Sequence, residues 1–517
     1  MRIATNVSAI VSNNALQKSQ DRLTKSIARL SSGYKINSSS DDAAGYAISE
    51  KMRLQLRGLN QADNNAADGV SVLHTAEGAM EEIQSMLARM KELSVQAANG
   101  TNSVDERSAI QSEIDSLNSE IDRISSNTEF NSQTLISGNL SRRVYSNYEG
   151  VNQIEVSDNF VAGNYGITIT QDARQAIVVG NGAVTMSDTA TVTKEQAGTI
   201  SMNGYGIEIS EGDTLAGIMG KLVDGADKIG GRVFAITAGA TNDTKVNGTD
   251  YAGYEPQTSY AGNNIVFMTK ESGSSKTMNI TCSNAELANM LGIATAATNG
   301  GMYAEGSDVQ AEFTLDNDGK RVGFADSAVI STSGTRVTVK DVNNRTFVTD
   351  VPSNVAGTQF SDTVKADDKS TATSTQTAKV TQEVTDVGTM SVHVGANENQ
   401  VILIDIPAVT SYTLGTENLN VMTSVTASEA IDTIDTAVAY ANRVRSQMGA
   451  YENRFEHTTN NLGTASENLT SAISTMTDTD MAEEMTEYTS LNVMTQAATS
   501  ILAQANEMPS TVHQILQ

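Results

Sequence analysis

The sequence has no tryptophan, one cysteine and four prolines in 517 residues, and aromatic residues make up only 4% of it. The single Cys282 excludes an internal disulfide, and its strand-like setting predicts a buried thiol rather than a reactive one. With so few aromatics and 39% hydrophobic residues, the chain can fill several slender cores but not one large globular core. Residues 1–140 lack proline, and the last proline is Pro509. Both ends can therefore form long helices.

Basic residues are much fewer than acidic ones, so the formal net charge is -27. Nucleic acid is excluded as a partner, because no basic face is available to replace phosphate counterions. Nine basic and four acidic residues nevertheless give residues 1–60 a charge of +5, whereas residues 474–517 have no Lys or Arg and carry -6. The opposite signs favour pairing of the two ends. Two solvated helix faces of unrelated sign are the alternative.

Long apolar runs are also missing. No window approaches the 18 apolar residues that predict a transmembrane helix, so we expect no membrane insertion. The first residues, MRIATNVSAIVSNN, contain no uninterrupted apolar segment of the kind found in Sec signal peptides. Secretion would thus require a dedicated export apparatus.

Motifs of catalysis are not found. No HExxH or GxSxG occurs, and GSSKT at 273–277 lacks the glycine that precedes lysine in a phosphate-binding loop. The four histidines are scattered singly: His74, His393, His457 and His513. The sequence therefore predicts no enzyme, no cofactor and no metal site.

Apolar residues recur at helical spacing at both ends of the chain. One register advances in steps of seven over a long C-terminal stretch: Ile434, Ala441, Met448, Phe455, Leu462, Leu469 and Met476. Such a series is typical of a coiled coil. The predicted seam comprises Ile110, Ile114, Leu117, Ile121, Met448, Phe455, Leu462 and Leu469.

Local signals set the expected helix boundaries. The first helix breaks at Gly33, and the second runs from about Ala43, capped by Asp41 or Asp42, to the AANG at 97–100. Ser103 and Glu106 form a capping box that opens the third. Two more helices are predicted at about 427–470 and 480–506. The first and last helices have thin apolar stripes, so we expect them to be disordered in the monomer and to fold when copies pack.

The middle of the chain, about 141–389, shows the period-two pattern of strands. The clearest runs lie at 165–170, 232–237, 264–269 and 336–340. Asn343–Asn344 predicts a hairpin turn, and Asp213 is a candidate cap for a short helix that contains Leu215 and Leu222. Residues 366–386 are either a linker or an edge strand. The fold class is therefore α+β: a long antiparallel coiled-coil bundle of the two ends, with an inserted β-rich region.

Long ordered segments at both ends are very similar to those of bacterial flagellins. They are LSSGYKINSSSDDAAGYAISEKMR (30–53), ELSVQAANGTNS (92–103), EIDRISSNTEFN (120–131), MGAYENRFEHTTNNL (448–462), SENLTSAISTMTDTDMA (466–482) and QANEMP (504–509). HVGANENQ at 393–400 resembles a short β element of compact flagellins. The resemblance implies an inner tube domain, a helical core domain and an outer variable region. Their segments are 1–42 and 477–517 (inner tube), 43–140 and 390–476 (core), and 141–389 (outer, with two subdomains).

The resemblance further implies a structural subunit of the extracellular flagellar filament. Its terminal helices would polymerise into concentric tubes, and the subunit would be exported unfolded by the flagellar type III apparatus to serve motility. The implied partners are further copies of the chain, an export chaperone, and the filament cap and hook-junction proteins.

Flagellins are also ligands of a Toll-like innate immune receptor. The family pattern RxxELxxQ matches Arg89, Glu92, Leu93 and Gln96, and Glu113 matches a further contact. These residues flank an apolar stripe, so the same surface is a candidate for subunit packing.

Alternatives from other classes stay open at this point. A hook–filament junction protein would have a similar fold. An adhesin or enzyme could be displayed on a filament through residues 141–389. A cytoplasmic coiled-coil signalling protein is a further class, although it does not fit a resemblance to an exported family.

Overall fold

The computed structural model describes residues 6–157, 160–237, 259–293, 301–316, 318–341, 345–353, 355–356, 359–360, 372–374, 377–385 and 387–515. Among them are eight helices and 21 strands, with helices at both ends and strands between them. The predicted α+β class is confirmed.

The helices are α1 (Val7–Ser32), α2 (Ala43–Ala98), α3 (Val104–Asn127), α4 (Leu215–Lys228), α5 (Ala285–Met290), α6 (Ser411–Leu414), α7 (Ser424–Thr477) and α8 (Met481–Ile515). The first strands are β1 (Glu129–Phe130), β2 (Gln133–Thr134), β3 (Val144–Ser146), β4 (Asn152–Val156), β5 (Gly163–Gln171), β6 (Gln175–Val179), β7 (Gly198–Met202), β8 (Tyr205–Ile209), β9 (Gly231–Thr237), β10 (Asn263–Ser272) and β11 (Thr277–Cys282). The others are β12 (Met302–Glu305), β13 (Gln310–Phe313), β14 (Val329–Ser333), β15 (Arg336–Lys340), β16 (Thr346–Asp350), β17 (Gln359–Phe360), β18 (Ala372–Ser374), β19 (Ala378–Val384), β20 (Met390–His393) and β21 (Val401–Ile404).

The chain divides into two compact units. The first, unit 1, comprises 1–70, 392–402 and 453–517, and the second, unit 2, comprises 71–391 and 403–452. The division falls within α2 and α7, so each unit takes part of both long helices.

In unit 1, α1 packs antiparallel against α8. Asn6 caps α1, and Gly33 ends it with a left-handed φ of 77°, a conformation that glycine adopts readily. The expected charge pairing is present, since Arg22 lies 3.0 Å from Glu487 and Arg29 lies 3.5 Å from Glu484. The prediction that the oppositely charged ends meet is confirmed.

The helix α8 continues past Pro509, although we predicted its end near residue 506. Proline has no amide hydrogen, so the carbonyl of Ala505 loses its usual helical donor. The side-chain amide of Asn6 donates to this carbonyl instead, at 2.7 Å. The cap of α1 thus satisfies the group that proline leaves open in α8.

Threonine hydroxyls on α7 and α8 turn back onto their own helices. Each donates to the carbonyl four residues earlier at 2.7–2.8 Å, in Thr458, Thr470, Thr489, Thr495 and Thr499. Such bonds satisfy the hydroxyl without a neighbouring element.

The α2 and α7 segments of unit 1 approach closely at a glycine. A Cβ added to Gly69 would lie 2.9 Å from Cζ of Phe455, which is fully buried. In unit 2 the two helices are joined by polar pairs, among them Gln84 and Asn442 at 2.9 Å. The order of these contacts shows that α2 and α7 are antiparallel.

Predicted caps and ends largely match the structure. The carboxylate of Asp42 accepts from the amides of Ala44 and Gly45 at 3.0 Å, and the Ser103–Glu106 capping box is formed. However, α7 is longer at both ends than predicted, because Thr423 caps it and its apolar stripe continues to Met476.

Besides a small cluster that includes Ile177, Phe234 and Met268, the described residues of the β-rich part of unit 2 form two large apolar cores. One lies between the sheets β6-β10-β9 and β12-β11-β7-β8 and the helices α4 and α5; it includes Ile200, Leu222 and Phe267. The other is formed by buried residues of the sheets β13-β5-β19-β3 and β14-β15-β16-β4. Its centre is aromatic: Tyr165 and Phe324 lie 5.1 Å apart between ring centroids, and Phe347 lies 5.5 Å from Phe324.

The four clearest strand predictions are confirmed by β5, β9, β10 and β15. The proposed cap Asp213 is wrong, since the hydroxyl of Thr214 accepts from the amide of Gly217 and caps α4. The carboxylate of Asp213 instead binds Lys221 at 2.6 Å, and this hydrogen bond lowers the pKa of Asp213.

Residues 378–384 form neither a linker nor an edge strand, because β19 pairs with β5 on one side and β3 on the other. Residues 372–374 form β18, an edge strand of the two-stranded sheet with β17. Residues 366–371, 375–376 and 386 lie outside the described residues, as does the predicted turn Asn343–Asn344. Residues 393–400 include the turn between β20 and β21, which a hydrogen bond from Val394 to Gln400 closes at 2.8 Å.

Candidate assembly and recognition surfaces

Arg89 is the centre of an exposed polar surface. Its guanidinium lies 2.9 Å from the carboxylate of Glu113 on α3 and 3.2 Å from that of Glu92 one turn further along α2. Hydrogen bonds from Arg89 to Glu113 and Glu92 raise the pKa of the guanidinium. All three side chains are about half exposed or more. The fold therefore brings together residues that lie on two helices.

Gln96 is exposed and lies on the same face of α2 as Arg89, seven residues on. We call Arg89, Glu92, Gln96 and Glu113 the Arg89 surface. Leu93 does not belong to it, since this side chain is only 2% exposed and packs in the core between the buried Met90 and Ala97. The five candidate residues thus divide into four surface groups and one core group.

The predicted seam residues are mostly buried within the single chain. Ile110, Ile114 and Ile121 of α3 are buried, and Leu117 is half-buried. Along α7, Met448, Phe455 and Leu462 are buried, and Leu469 is half-buried.

The terminal helices differ from this pattern. In α1 only Leu16 and Ser26 are buried. Large apolar side chains are instead exposed on both helices: Val7, Ile10, Val11 and Ile27 on α1, and Met481, Met485, Val493, Met494, Ile501 and Met508 on α8. We call these ten residues the terminal apolar surface. Exposed apolar residues gathered on two packed helices are typical of an interaction surface.

A second cluster was not predicted from the sequence. His74, Glu77 and Glu452 form the one group of three potential metal ligands among the described residues. The available signal was the three-residue spacing from His74 to Glu77, which places both side chains on one face of a helix. Glu452 could not be assigned to this face without knowing how α7 packs.

Two further findings concern chemistry and membranes. Cys282 is half-buried at the end of β11, and burial raises the pKa of its thiol, which disfavours the reactive thiolate. Among the helices that the structure describes, none is long and apolar enough to cross a membrane.

Comparison with known proteins gives matches along the whole chain. The model of the bacterial flagellin N-terminal helical region matches residues 3–141, and that of the C-terminal helical region matches residues 431–516. Flagellin of Salmonella typhimurium is 31% identical over 539 residues, covering 100% of this chain and 99% of the relative. Flagellin of Clostridium tyrobutyricum is 30% identical over 506 residues, covering 96% and 98%.

A solved structure of FliC from Burkholderia pseudomallei is 14% identical and covers 75% of this chain and 99% of its own, with a TM-score of 0.22, too low to carry an argument. The sequence matches are sufficient without it: both helical ends fit flagellin models, and full-length relatives reach 30% identity. The chain belongs to the bacterial flagellin family of structural filament subunits.

Proposed function

We propose that this chain polymerises through α1 and α8 into the flagellar filament and so serves bacterial motility. The observation that carries the proposal is the terminal apolar surface. Ten large apolar side chains are exposed on two helices that bury few residues in the single chain. Isolated helices of this kind are marginal in water, because packing supplies most helical stability. Packing against other copies would supply it.

The geometry of such an assembly follows from the chemistry of the two helices. The apolar residues of α1 are branched aliphatics, whereas those of α8 are mostly methionines. A contact between unlike surfaces is heterologous, and a heterologous contact that does not close gives an open helical filament.

An energy estimate indicates how many contacts assembly needs. Burying a large apolar side chain fully is worth about 1.5–3 kcal/mol, so completing the burial of a half-exposed one is worth about 1 kcal/mol. Association costs an estimated ~4–15 kcal/mol in lost freedom. The ten side chains together are of this order, so no single one decides assembly.

Export in an unfolded state fits the same features. One cysteine means that no internal disulfide has to be reduced before passage. A subunit whose terminal helices become stable only on packing would leave the cell before these helices are ordered.

The test of polymerisation is the double substitution Val493→Ser and Ile501→Ser, at two strongly exposed positions of α8. Losing about 2 kcal/mol of burial should raise the critical concentration for polymerisation at least about tenfold. Sedimentation of polymer after salting-out measures it.

Val329→Ser is the matched control. Val329 is as exposed as Val493 but lies on β14, in the β-rich part. We expect it to polymerise like the unmodified chain. If the double variant also did so, with its helix content unchanged, the role given to α8 would be wrong.

We further propose that the Arg89 surface is bound by a Toll-like immune receptor. Arginine is enriched among residues that dominate binding energy, and here its guanidinium is held by two carboxylates in a fixed orientation. The core position of Leu93 gives it a supporting role beneath the surface rather than a contact. If subunits also pack through this surface, the receptor would bind only unpolymerised chains.

Arg89→Ala tests receptor binding. Loss of a dominant arginine should weaken activation of receptor-expressing cells about tenfold or more. Arg123→Ala is the control, because Arg123 is likewise exposed and paired with a glutamate three residues away. Equal potency of both variants and the unmodified protein would exclude the Arg89 surface as the binding site.

A further inference from the structure

We propose that His74, Glu77 and Glu452 bind a divalent transition-metal ion such as Zn²⁺ and thereby link α2 to α7. His74 and Glu77 occupy one face of α2, three residues apart, and Glu452 reaches this face from α7. Nε2 of His74 lies 3.5 Å from Oε1 of Glu452, and one ligand atom from each of the three residues lies within 4.8 Å of the others.

These distances suit a tetrahedral ion. Zinc binds histidine nitrogen and carboxylate oxygen at about 2.0–2.2 Å, which places tetrahedral ligand atoms roughly 3.3–3.5 Å from one another. The His74–Glu452 pair already has this spacing. The Glu77 carboxylate needs only a side-chain rotation to complete the set, because it is partly exposed and can move.

The donor set also determines which metals are suitable. One imidazole and two carboxylates are three protein ligands, which leaves a fourth position for water. Imidazole favours zinc, copper and nickel, whereas magnesium and calcium prefer all-oxygen sites. We therefore expect binding of Zn²⁺ but not of Mg²⁺ at this cluster.

Arg445 is the competitor for the proposed ion. Its guanidinium lies 3.2 Å from Glu77, and it also donates to Oε1 of Gln84 at 2.5 Å. Arg445 therefore keeps a partner when Glu77 turns towards the metal. Metal binding exchanges one ion pair for a coordinate bond and adds a link between two antiparallel helices.

The experiment is calorimetric titration of the purified full-length chain with ZnCl₂, and with MgCl₂ as the hard-cation comparison. We expect one zinc per chain with no comparable magnesium signal. Loss of a residue that only supports a metal ligand lowers metal affinity about 10–100-fold, and loss of a ligand itself should lower it at least as much. The variants His74→Asn and Glu452→Gln should therefore each weaken zinc binding by about tenfold or more.

His457→Asn is the matched control, because His457 is an exposed histidine of the same α7 outside this three-residue group. It should bind zinc like the unmodified chain. Arg445→Gln should tighten binding, since it removes the competing cation; an unchanged or weaker affinity would contradict the role of Glu77. Circular dichroism of each variant verifies the helices.

Two results would contradict the proposed zinc site. Absence of a one-to-one zinc event in the unmodified chain, or equal affinities of the His74→Asn and His457→Asn variants, would overturn the site. Neither result bears on polymerisation, which the substitutions in α8 test separately.

Discussion

A single glycine sets how closely α2 and α7 approach. Gly69 faces the ring of Phe455, and even one added carbon would lie 2.9 Å from Cζ, closer than side chains normally come. Phe455 is fully buried, so its ring has little room to retreat. Position 69 thus has no space for a larger side chain, although glycine is unfavourable within a helix.

We therefore predict opposite effects for two alanine substitutions in the same helix. Gly69→Ala should destabilise the protein by about 1–3 kcal/mol through overpacking. Gly78→Ala should stabilise it by up to about 1 kcal/mol, because Gly78 is exposed and nothing lies within 4 Å of the added carbon. Thermal or urea unfolding measures both. Stabilisation by Gly69→Ala would show that the ring yields easily.

Residues of one motif can have different roles. Arg89 and Leu93 belong to the same short pattern, yet one is half exposed and the other is in the core. Spacing alone gives the face of each residue on the helix, but burial depends on what packs against that face. The family pattern could therefore not separate Leu93 from the surface residues.

At the scale of elements, helix boundaries were predictable where the signal is local. Gly33, Asp42 and Ser103 act on amides or carbonyls within a few residues, so their roles follow from sequence. Strands with clean alternation, such as β15, in which Val337 and Val339 are buried between more exposed residues, were predictable for the same reason.

Boundaries set by distant contacts were missed. The helix α8 continues past Pro509, and the carbonyl of Ala505 that proline leaves open accepts from Asn6, far away in sequence. The central position of β19 was hidden by its polar residues. One of them, Gln382, is 1% exposed and donates to the hydroxyl of Thr349 at 2.9 Å, and such pairing cannot be seen in sequence.

The same distinction applies to the candidate sites. Arg89, Glu92 and Glu113 were identified through resemblance to a family, and the structure adds that their side chains are joined. No motif recognised in the sequence contains His74 or Glu77. The third member of the cluster, Glu452, lies on α7, far along the chain. Only the packing of α2 against α7 reveals it.

At the scale of the whole molecule, the ends and the middle should be separable in function. We predict that removing residues 1–40 or 480–517 leaves a soluble monomer that cannot polymerise, because each deletion removes one part of the terminal apolar surface. Size-exclusion chromatography and electron microscopy after salting-out test this. The two β-region cores should persist, since no residue of either lies in the deleted segments.

The opposite result would be equally informative. If either truncated chain formed filaments at the normal critical concentration, assembly would have to use the remaining helices or the β-rich part. Deletion of a described β hairpin, Val329–Lys340, is the comparison, because it shortens the chain without touching α1 or α8.

The inward-turned hydroxyls of α7 and α8 change what a neighbouring molecule would meet. A threonine that donates to its own helix has used its only proton, and what it still presents is a methyl group and an oxygen that can only accept. If these threonines are counted as hydrophilic, the extent to which a contact between two such helices can exclude water is underestimated. A single subunit can in this way stay dissolved, and its helices can still exclude water where they pack against those of neighbouring subunits.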